Sequence, residues 1–269
     1  MSEAWGERPT FRLLDALVEA EIAQARALVG DHPAHRLYLE AGLAAARQGA
    51  DRTILIGRGG RGLILGIRFD RIGVRTAVGT LAEDELLALG DIRGAAELHL
   101  ADDQAEFLAR ALSHRVAARR ILRLYRLDGP PALPPDPRCR LLGSEDFRAV
   151  EDFFGRHNAG AIFSRWMLAL PFLGWFEAEQ LVACGGVVAQ ADGLAHLGNF
   201  LTRPDRRGRG LGRAVAATLA ARLMAEGNRT LTLAADADNP AAGRAYEALG
   251  FRCFETRSRL DLDAAASGV

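Results

Sequence analysis

The chain has 269 residues, of which 49% are hydrophobic and 25% charged, so its composition excludes a disordered chain and suits one large or two modest globular domains. The formal net charge is zero, which argues against nucleic acid as a main partner, because phosphate-binding proteins usually carry a net basic surface. All 34 basic residues are arginine, which removes lysine as a base, a nucleophile or an acetyl acceptor.

No leader, membrane segment or metal site is predicted. The N-terminal stretch lacks a basic region followed by an apolar core, and no run approaches the ~18 apolar residues of a membrane span. We therefore expect a cytoplasmic protein without a membrane partner. The cysteines, Cys139, Cys184 and Cys253, are far apart and predict reduced, mostly buried thiols. The six histidines are scattered without a metal-binding spacing.

Hydrophobic spacing in the first half predicts the order ααβββαβαβ. The predicted helices are 13–28, 37–46, 83–89 and 104–112, and the predicted strands are 53–56, 63–69, 72–78, 97–100 and 121–127. The basic, glycine-rich run at 57–62 lies between two strands, and we interpret it as a hairpin turn.

A proline-rich segment follows, with five prolines among residues 128–137, and it cannot continue a helix or a central strand. We predict a domain at 1–128, a linker at 129–137 and a second domain at 138–269. Beyond the linker we predict helices at 144–157, 212–226 and 240–249, and strands at 174–177, 181–190, 194–202, 231–235 and 251–260. Both halves thus share the order αβββαβαβ, without a residue-level repeat.

The most informative segment is LTRPDRRGRGLGRAV, residues 201–215, in which a predicted strand ends, glycines stand at three alternate positions and a helix begins. Glycine lets the backbone approach a ligand without a Cβ in the way, and a helix N-terminus attracts anions. The flanking arginines favour a strongly anionic guest. The spacing differs from nucleotide and dinucleotide loops, and an arginine-rich surface turn is the alternative.

This segment resembles motif A of the GNAT N-acetyltransferase superfamily, which it matches as Arg207-Gly208-Arg209-Gly210-Leu211-Gly212. Further on, Asp238-Asn239-Pro240-Ala241-Ala242 and Tyr246-Glu247-Ala248-Leu249-Gly250-Phe251 resemble motif B in order and spacing. The resemblance is strongest over 174–254 and extends over 139–263. The residues of both motifs are most similar to those of the glycine N-acyltransferase-like branch.

The resemblance implies an α/β (α+β) fold of two tandem GNAT-like domains, each a mixed, largely antiparallel sheet flanked by helices. In the first half the similarity is limited to His35-Arg36-Leu37-Tyr38-Leu39-Glu40, which resembles the early helix of N-terminal domains in some two-part members. No phosphate loop follows its later strands. We therefore expect a degenerate GNAT-like domain there, which shapes the substrate site or an interface.

The resemblance also implies acetyl-coenzyme A as the acyl donor and an amine, either a small molecule or a peptide, as the acceptor. It further implies a splayed pair of strands that grips the pantetheine arm. The first strand is 194–202, whose end would bind the pantetheine amides, and the backbone N–H groups of the following loop, from Arg207 to Arg213, would bind the pyrophosphate. The implied cofactor-binding residues are Phe200, Leu201, Thr202, Arg207, Gly208, Arg209, Gly210, Leu211, Gly212, Arg213 and Asn239. Tyr246 matches the tyrosine that protonates the leaving thiolate in the family. Asn239 is also a favourable N-cap before Pro240.

The sequence offers several alternatives for the general base. Many relatives carry a glutamate at the position that Ala234 occupies here. His196 is a substitute with a suitable reference pKa, although a lone strand histidine is more often structural. Glu177 and Asp236 are weaker candidates, and a water chain or a neutral acceptor would need no side-chain base.

Two further functions stay open at this stage. An acyl-coenzyme A sensor or scaffold without turnover is the main alternative, and the missing glutamate favours it while Tyr246 opposes it. A nucleic-acid-binding protein is a poorer alternative, because few aromatic residues are available for base stacking. Trp166, Met167 and Trp175 either line an acceptor pocket or belong to the core. The acceptor, the acyl length and the oligomeric state, with a homodimer as one alternative, are not determined.

Overall fold

The computed structural model describes residues 10–46, 52–69, 72–90, 96–158 and 161–263. The N-terminal residues 1–9, on which the prediction of no leader depends, lie outside this range. The chain forms two compact units, the first from residues 1–122 and 257–269 and the second from residues 123–256. The predicted domains, 1–128 and 138–269 with a linker at 129–137, have other limits than these two compact units. The predicted domain organisation stays a prediction.

The first unit is built on a mixed sheet that begins as an antiparallel meander. Its elements are β1 (Phe11–Leu13), α1 (Glu19–Val29), α2 (Pro33–Ala46), β2 (Arg52–Gly57), β3 (Gly62–Arg68), β4 (Gly73–Gly79), α3 (Glu83–Gly90), β5 (Ala96–Leu100) and α4 (Asp102–Ala111). The long strand β6 (Val116–Leu127) begins in this unit, and β12 (Arg252–Leu262) ends in it. Strands β1 to β4 pair antiparallel in sequence order, β4 pairs parallel with β5, and β5 pairs antiparallel with β12.

The second unit repeats this arrangement. Its elements are β7 (Cys139–Leu141), α5 (Phe147–His157), β8 (Phe172–Glu177), β9 (Gln180–Ala191), β10 (Leu194–Thr202), α6 (Leu211–Ala225), β11 (Thr230–Asp236) and α7 (Pro240–Glu247), with short 3₁₀ turns at Ser144–Asp146, Arg165–Ala169 and Pro204–Arg206. Strands β7 to β10 pair antiparallel in order, and β10 pairs parallel with β11.

Each predicted helix and strand has a counterpart in the structure, and the main differences concern short edge elements. The strands β1 and β7, of three residues each, were not predicted, because their pairing partners β2 and β8 stabilise them rather than their own sequence. The predicted helix start at Leu13 is wrong. Leu13 belongs to β1 with its side chain exposed, and the helix α1 begins at Glu19.

The core of the second unit lies between α6 and the sheet. Val215, Leu219 and Leu223 of α6 are fully buried in one cluster with Leu197 and Leu233 of the strands. Such burial removes apolar surface from water and holds the loop that precedes α6 against the end of β10.

The predicted linker contains no helix or strand, and hydrogen bonds attach it to the second unit. The N–H of Ala132 donates to the carbonyl of Leu249 at 3.0 Å, and the N–H of Asp136 donates to Thr218 Oγ1 at 2.8 Å. These bonds replace the ones that a strand or helix would have supplied to a segment rich in proline.

Among the described residues, no helix is long and apolar enough to cross a membrane. All three cysteines are free, as predicted. Cys253 is exposed, however, because it lies on β12 near the start of the strand, whereas Cys184 in the central strand β9 is buried.

Candidate active site

A gap opens between the parallel strands β10 and β11. Their pairing runs from Leu194 opposite Thr230 to Leu197 opposite Leu233 and then stops. Strand β10 continues to Thr202 and β11 to Asp236, so within the described part of the chain residues 198–202 do not pair with β11. Backbone groups that face such a gap are available to an extended ligand, which can pair with them as a strand would.

A bulge in β10 adjoins this gap at Asn199. The register of β10 against β9 shifts between Gly198 and Leu201, and Asn199 has a left-handed φ of 56°. The Asn199 side chain holds the bulge in place, because its Nδ2 donates to the carbonyl of Ile162 at 2.9 Å and lies 3.4 Å from Met167 Sδ. Bulges of this kind re-aim a strand and are frequent next to active sites.

The loop from Thr202 to Leu211 ends as the N-terminus of α6. After the 3₁₀ turn Pro204–Arg206, Gly208 and Gly210 both have φ of 77°, and Gly210 is the N-cap of α6. A side chain at Gly210 would be strained in this left-handed conformation. At Gly212 a Cβ would lie 3.0 Å from Thr202 Oγ1, so glycine permits α6 to begin close to the end of β10.

The N–H groups of this loop are available to an anion. Within the described residues, no carbonyl accepts a hydrogen bond from the N–H groups of residues 208–213, although Arg207 and Ala214 on either side have such acceptors. The dipole of α6, a helix of 15 residues, adds positive potential at the same place. Binding of an anion by this loop stays a prediction.

The arginines around the loop fall into two groups. Arg203 and Arg206 are neutralised locally, because Arg203 Nε lies 2.7 Å from Asp205 and Arg206 Nε lies 2.6 Å from Glu177. The hydrogen bond from Arg206 lowers the pKa of the Glu177 carboxyl. Glu177 is therefore held as an ion-paired carboxylate, which makes it a weak proton acceptor.

The second group, Arg207, Arg209 and Arg213, is exposed and forms no ion pair within the described chain. Arg207 donates from Nε to the carbonyl of Thr202 at 3.3 Å. The net positive charge of the loop thus comes from side chains that still have guanidinium groups to offer to a ligand.

Helix α7 begins at a side-chain cap. Asn239 Oδ1 accepts a hydrogen bond from the N–H of Ala242 at 3.2 Å, and Pro240 occupies the first helical position. The predicted capping role of Asn239 is confirmed. Its predicted contact with a cofactor stays a prediction.

Tyr246, on α7, lies at the end of β10. Its ring is 5.9 Å from that of Phe200 and 6.0 Å from that of Tyr125, and the residue is 8% exposed. Burial, and then proximity to Tyr125, raise the pKa of the Tyr246 hydroxyl. A phenol in this environment keeps its proton, as a hydrogen-bond donor to a departing thiolate must.

His196 has a different environment. It is 9% exposed, and its Nδ1 lies 2.9 Å from Thr232 Oγ1 on the neighbouring strand. Leu197 and Leu233 belong to the same core cluster as Tyr246, and side chains alternate along a strand, which directs His196 to the opposite face. The structure therefore does not bring His196 and Tyr246 to one face of the sheet. Ala234 offers no proton acceptor.

Two of the three proposed acceptor-pocket residues belong to the core instead. Met167 is fully buried, and Trp175 is 5% exposed with Nε1 donating to Asp136 Oδ2 at 3.4 Å. Trp166 is half-buried.

Two residues next to the site, Asn199 and Tyr125, are not among the predicted site residues. Asn199 carried a usable signal, because glycine followed by asparagine inside a strand pattern suggests a bulge, and asparagine tolerates a left-handed φ. Tyr125 carried none, since it occupies an ordinary apolar position of β6.

Comparison with known proteins relates this site to a family. Residues 139–251, which contain the loop, Asn239 and Tyr246, match the model of the acetyltransferase (GNAT) family. The mycothiol acetyltransferase of Streptomyces scabiei is 37% identical over 92 residues, which are 34% of this chain. The match spans 30% of the length of that relative.

Solved structures share the fold over most of the chain. A GNAT-family protein from Novosphingobium aromaticivorans has a TM-score of 0.64 at 21% identity, over 88% of this chain and all of its own. A Drosophila protein reaches 0.71 at 18% identity, over 94% of this chain and 98% of its own. A tandem GNAT protein from the clavulanic acid biosynthesis pathway has 0.57 at 16%, over 96% of this chain and 99% of its own. The predicted mixed α/β fold of tandem GNAT-like domains is confirmed.

Proposed function

We propose, on the premise that residues 139–251 form a GNAT acetyltransferase domain, that the protein is an N-acetyltransferase. It moves an acetyl or short acyl group from acetyl-coenzyme A directly to an amine. The observation that carries the proposal is the combination, in one unit, of the strand gap and a row of N–H groups at the start of α6 that donate to no carbonyl of the described residues.

In this proposal the pyrophosphate of the donor binds the N–H groups from Gly208 to Arg213, with the guanidinium groups of Arg207, Arg209 and Arg213 around it. The pantetheine arm lies along Phe200, Leu201 and Thr202 in the gap beside β10. Asn239 lies at the start of α7 as a further cofactor contact. These contacts bring the thioester to the acceptor, and the acceleration comes mainly from proximity and orientation.

Tyr246 is the proposed general acid. The amine nitrogen attacks the thioester carbonyl, the C–S bond breaks as the new C–N bond forms, and the phenol donates a proton to the departing thiolate. Its contact with Phe200 places the ring beside the strand that would hold the pantetheine arm.

In this proposal no side chain acts as the base: the acceptor arrives as the neutral amine, and solvent takes the proton that its nitrogen loses as the amide forms. His196 is bonded to Thr232, Glu177 is ion-paired to Arg206, and Ala234 stands where many relatives have glutamate. The lack of a side-chain base among these three residues favours the alternative, an acyl-coenzyme A sensor without turnover. A cytoplasmic location and the lack of a nucleic-acid partner stay predictions.

The donor site is tested with Gly210→Val and titration calorimetry with acetyl-coenzyme A. A β-branched residue at φ of 77° distorts the start of α6, and we expect the Kd to rise at least tenfold, about 1.4 kcal/mol. Gly227→Val is the matched control, because Gly227 has φ of 94° with open space around it and follows the other end of α6. Equal effects of the two variants would contradict the assigned pyrophosphate site.

Turnover is tested separately, by measuring thiol release from acetyl-coenzyme A against a panel of amines. Amine-dependent release supports the transferase and begins to define the acceptor. Tight donor binding without release from any amine supports the sensor instead.

A further inference from the structure

The first unit repeats the element order that surrounds the proposed donor site. Three antiparallel strands, β2 to β4, are followed by α3, by β5 parallel to β4, and by α4, as β8 to β10 are followed by α6, β11 and α7. The corresponding features of the first unit are thus the gap between β4 and β5 and the N-terminus of α3. Whether these features can hold a second donor depends on what already lies in them.

The gap between β4 and β5 contains the side chain of Arg257. Pairing of the two strands ends at Thr76 opposite His99, although β4 continues to Gly79. The Arg257 Nη2 donates to the carbonyl of Ala77 at 2.5 Å and lies 3.5 Å from that of His99. The guanidinium therefore bridges the two strands where their own pairing stops.

The other side of this guanidinium faces α2. Arg257 Nη1 donates to His35 Nε2 at 3.3 Å, and the two residues are 7% and 6% exposed. Burial, and the nearby His32 and Arg257, lower the pKa of His35 to about 2, so its imidazole is neutral and can accept this bond. A ligand that displaced Arg257 would leave a buried cation without these acceptors, which is costly.

The N-terminus of α3 is filled by the protein's own carboxylate. Glu85 Oε2 accepts from the N–H of Ala82 at 2.9 Å, and Oε1 lies 3.4 Å from the N–H of Gly59. Glu85 is 4% exposed, and Glu83 and Asp84 share the first turn of α3. Three carboxylates repel a pyrophosphate, whereas the first turn of α6 has no acidic residue and carries Arg213.

From these contacts, and resting on the proposed function, we propose that Arg257 and Glu85 act as internal substitutes for the pantetheine arm and the pyrophosphate in the first unit. The first unit is thereby closed to coenzyme A thioesters, and each chain binds one acyl donor, in the second unit. Arg257, which belongs to none of the sequence motifs, is thus the residue that makes the gap between β4 and β5 different from the gap between β10 and β11.

The test uses the full chain and acetyl-coenzyme A in calorimetry and in hydrogen exchange read by mass spectrometry. We expect one donor per chain for the wild type, and in Gly210→Val a single site whose Kd is at least tenfold higher. Saturating acetyl-coenzyme A should slow amide exchange within 198–215 and leave exchange within 77–90 and 96–100 unchanged.

Two donors per chain, a site of unchanged affinity in Gly210→Val, or slowed exchange at the start of α3 would overturn the proposal. The exchange measurement uses the wild type, so it remains decisive if Gly210→Val does not fold. A wild type that neither binds nor shows protection anywhere would overturn the proposed function, and with it the single donor per chain that rests on that function.

Discussion

At the scale of single residues, Tyr246 has the clearest chemical role to test. Tyr246→Phe removes the proton donor and keeps the ring contacts with Phe200 and Tyr125, so we expect kcat to fall about 100-fold with little change in donor affinity. Steady-state kinetics and calorimetry with acetyl-coenzyme A measure the two quantities. Tyr125→Phe, which removes the neighbouring hydroxyl, is the matched control and should retain most activity. Full activity of Tyr246→Phe would exclude it as the acid.

The buried His35 makes the stability of the first unit depend on pH. Its folded-state pKa, about 2, lies below the value near 6.5 expected when unfolded, so its stabilising effect is complete above pH 6.5 and is lost as the pH falls. Below pH 6 the free energy of unfolding should decrease by up to about 1.4 kcal/mol per pH unit from this group alone.

Urea unfolding of the wild type and of His35→Gln between pH 7 and pH 5 measures this contribution. The glutamine keeps an acceptor for Arg257 but does not titrate. The free energy of unfolding of His35→Gln should therefore decrease less steeply than that of the wild type as the pH falls. Parallel curves for the two proteins would show that His35 is protonated in the folded chain and is not buried as described.

At the scale of elements, the start of α7 depends on one side chain. Asn239→Ala removes the bond to the N–H of Ala242, and we expect a loss of about 1 kcal/mol in the free energy of unfolding. Asn239→Ser restores a capping oxygen and should recover most of this stability. Comparing the donor affinity of the two variants separates the roles, because a cofactor contact specific to the amide would be lost in both.

For the loop between β10 and α6 and the gap beside it, the local sequence predicted the first but not the second. Alternate glycines between a strand and a helix predicted the anion site, and the structure shows Gly210 as a left-handed N-cap and α6 beginning at the next residue. The gap itself was implied by resemblance only. It depends on where the pairing of β10 and β11 stops, at Leu197 and Leu233, and no local pattern encodes that position.

At the scale of the whole chain, two units of similar element order carry different interiors. The second keeps its strand gap and helix N-terminus open, and the first fills the equivalent positions with Arg257 and Glu85. The predicted absence of a phosphate loop in the first half agrees with this difference, but its degenerate character rests on the proposal. A tandem fold therefore does not by itself imply two donor sites.

The sequence by itself determined the order of helices and strands, the glycine turn before α6 and the cap at Asn239, because hydrophobic period, glycine and capping chemistry act over a few neighbouring residues. Only the tertiary structure decided that His196 pairs with Thr232 and that Arg257 enters the gap between β4 and β5. These outcomes join residues 36 and 180 positions apart, and such contacts follow from how strands pair and end. Local propensity contains no information about that pairing.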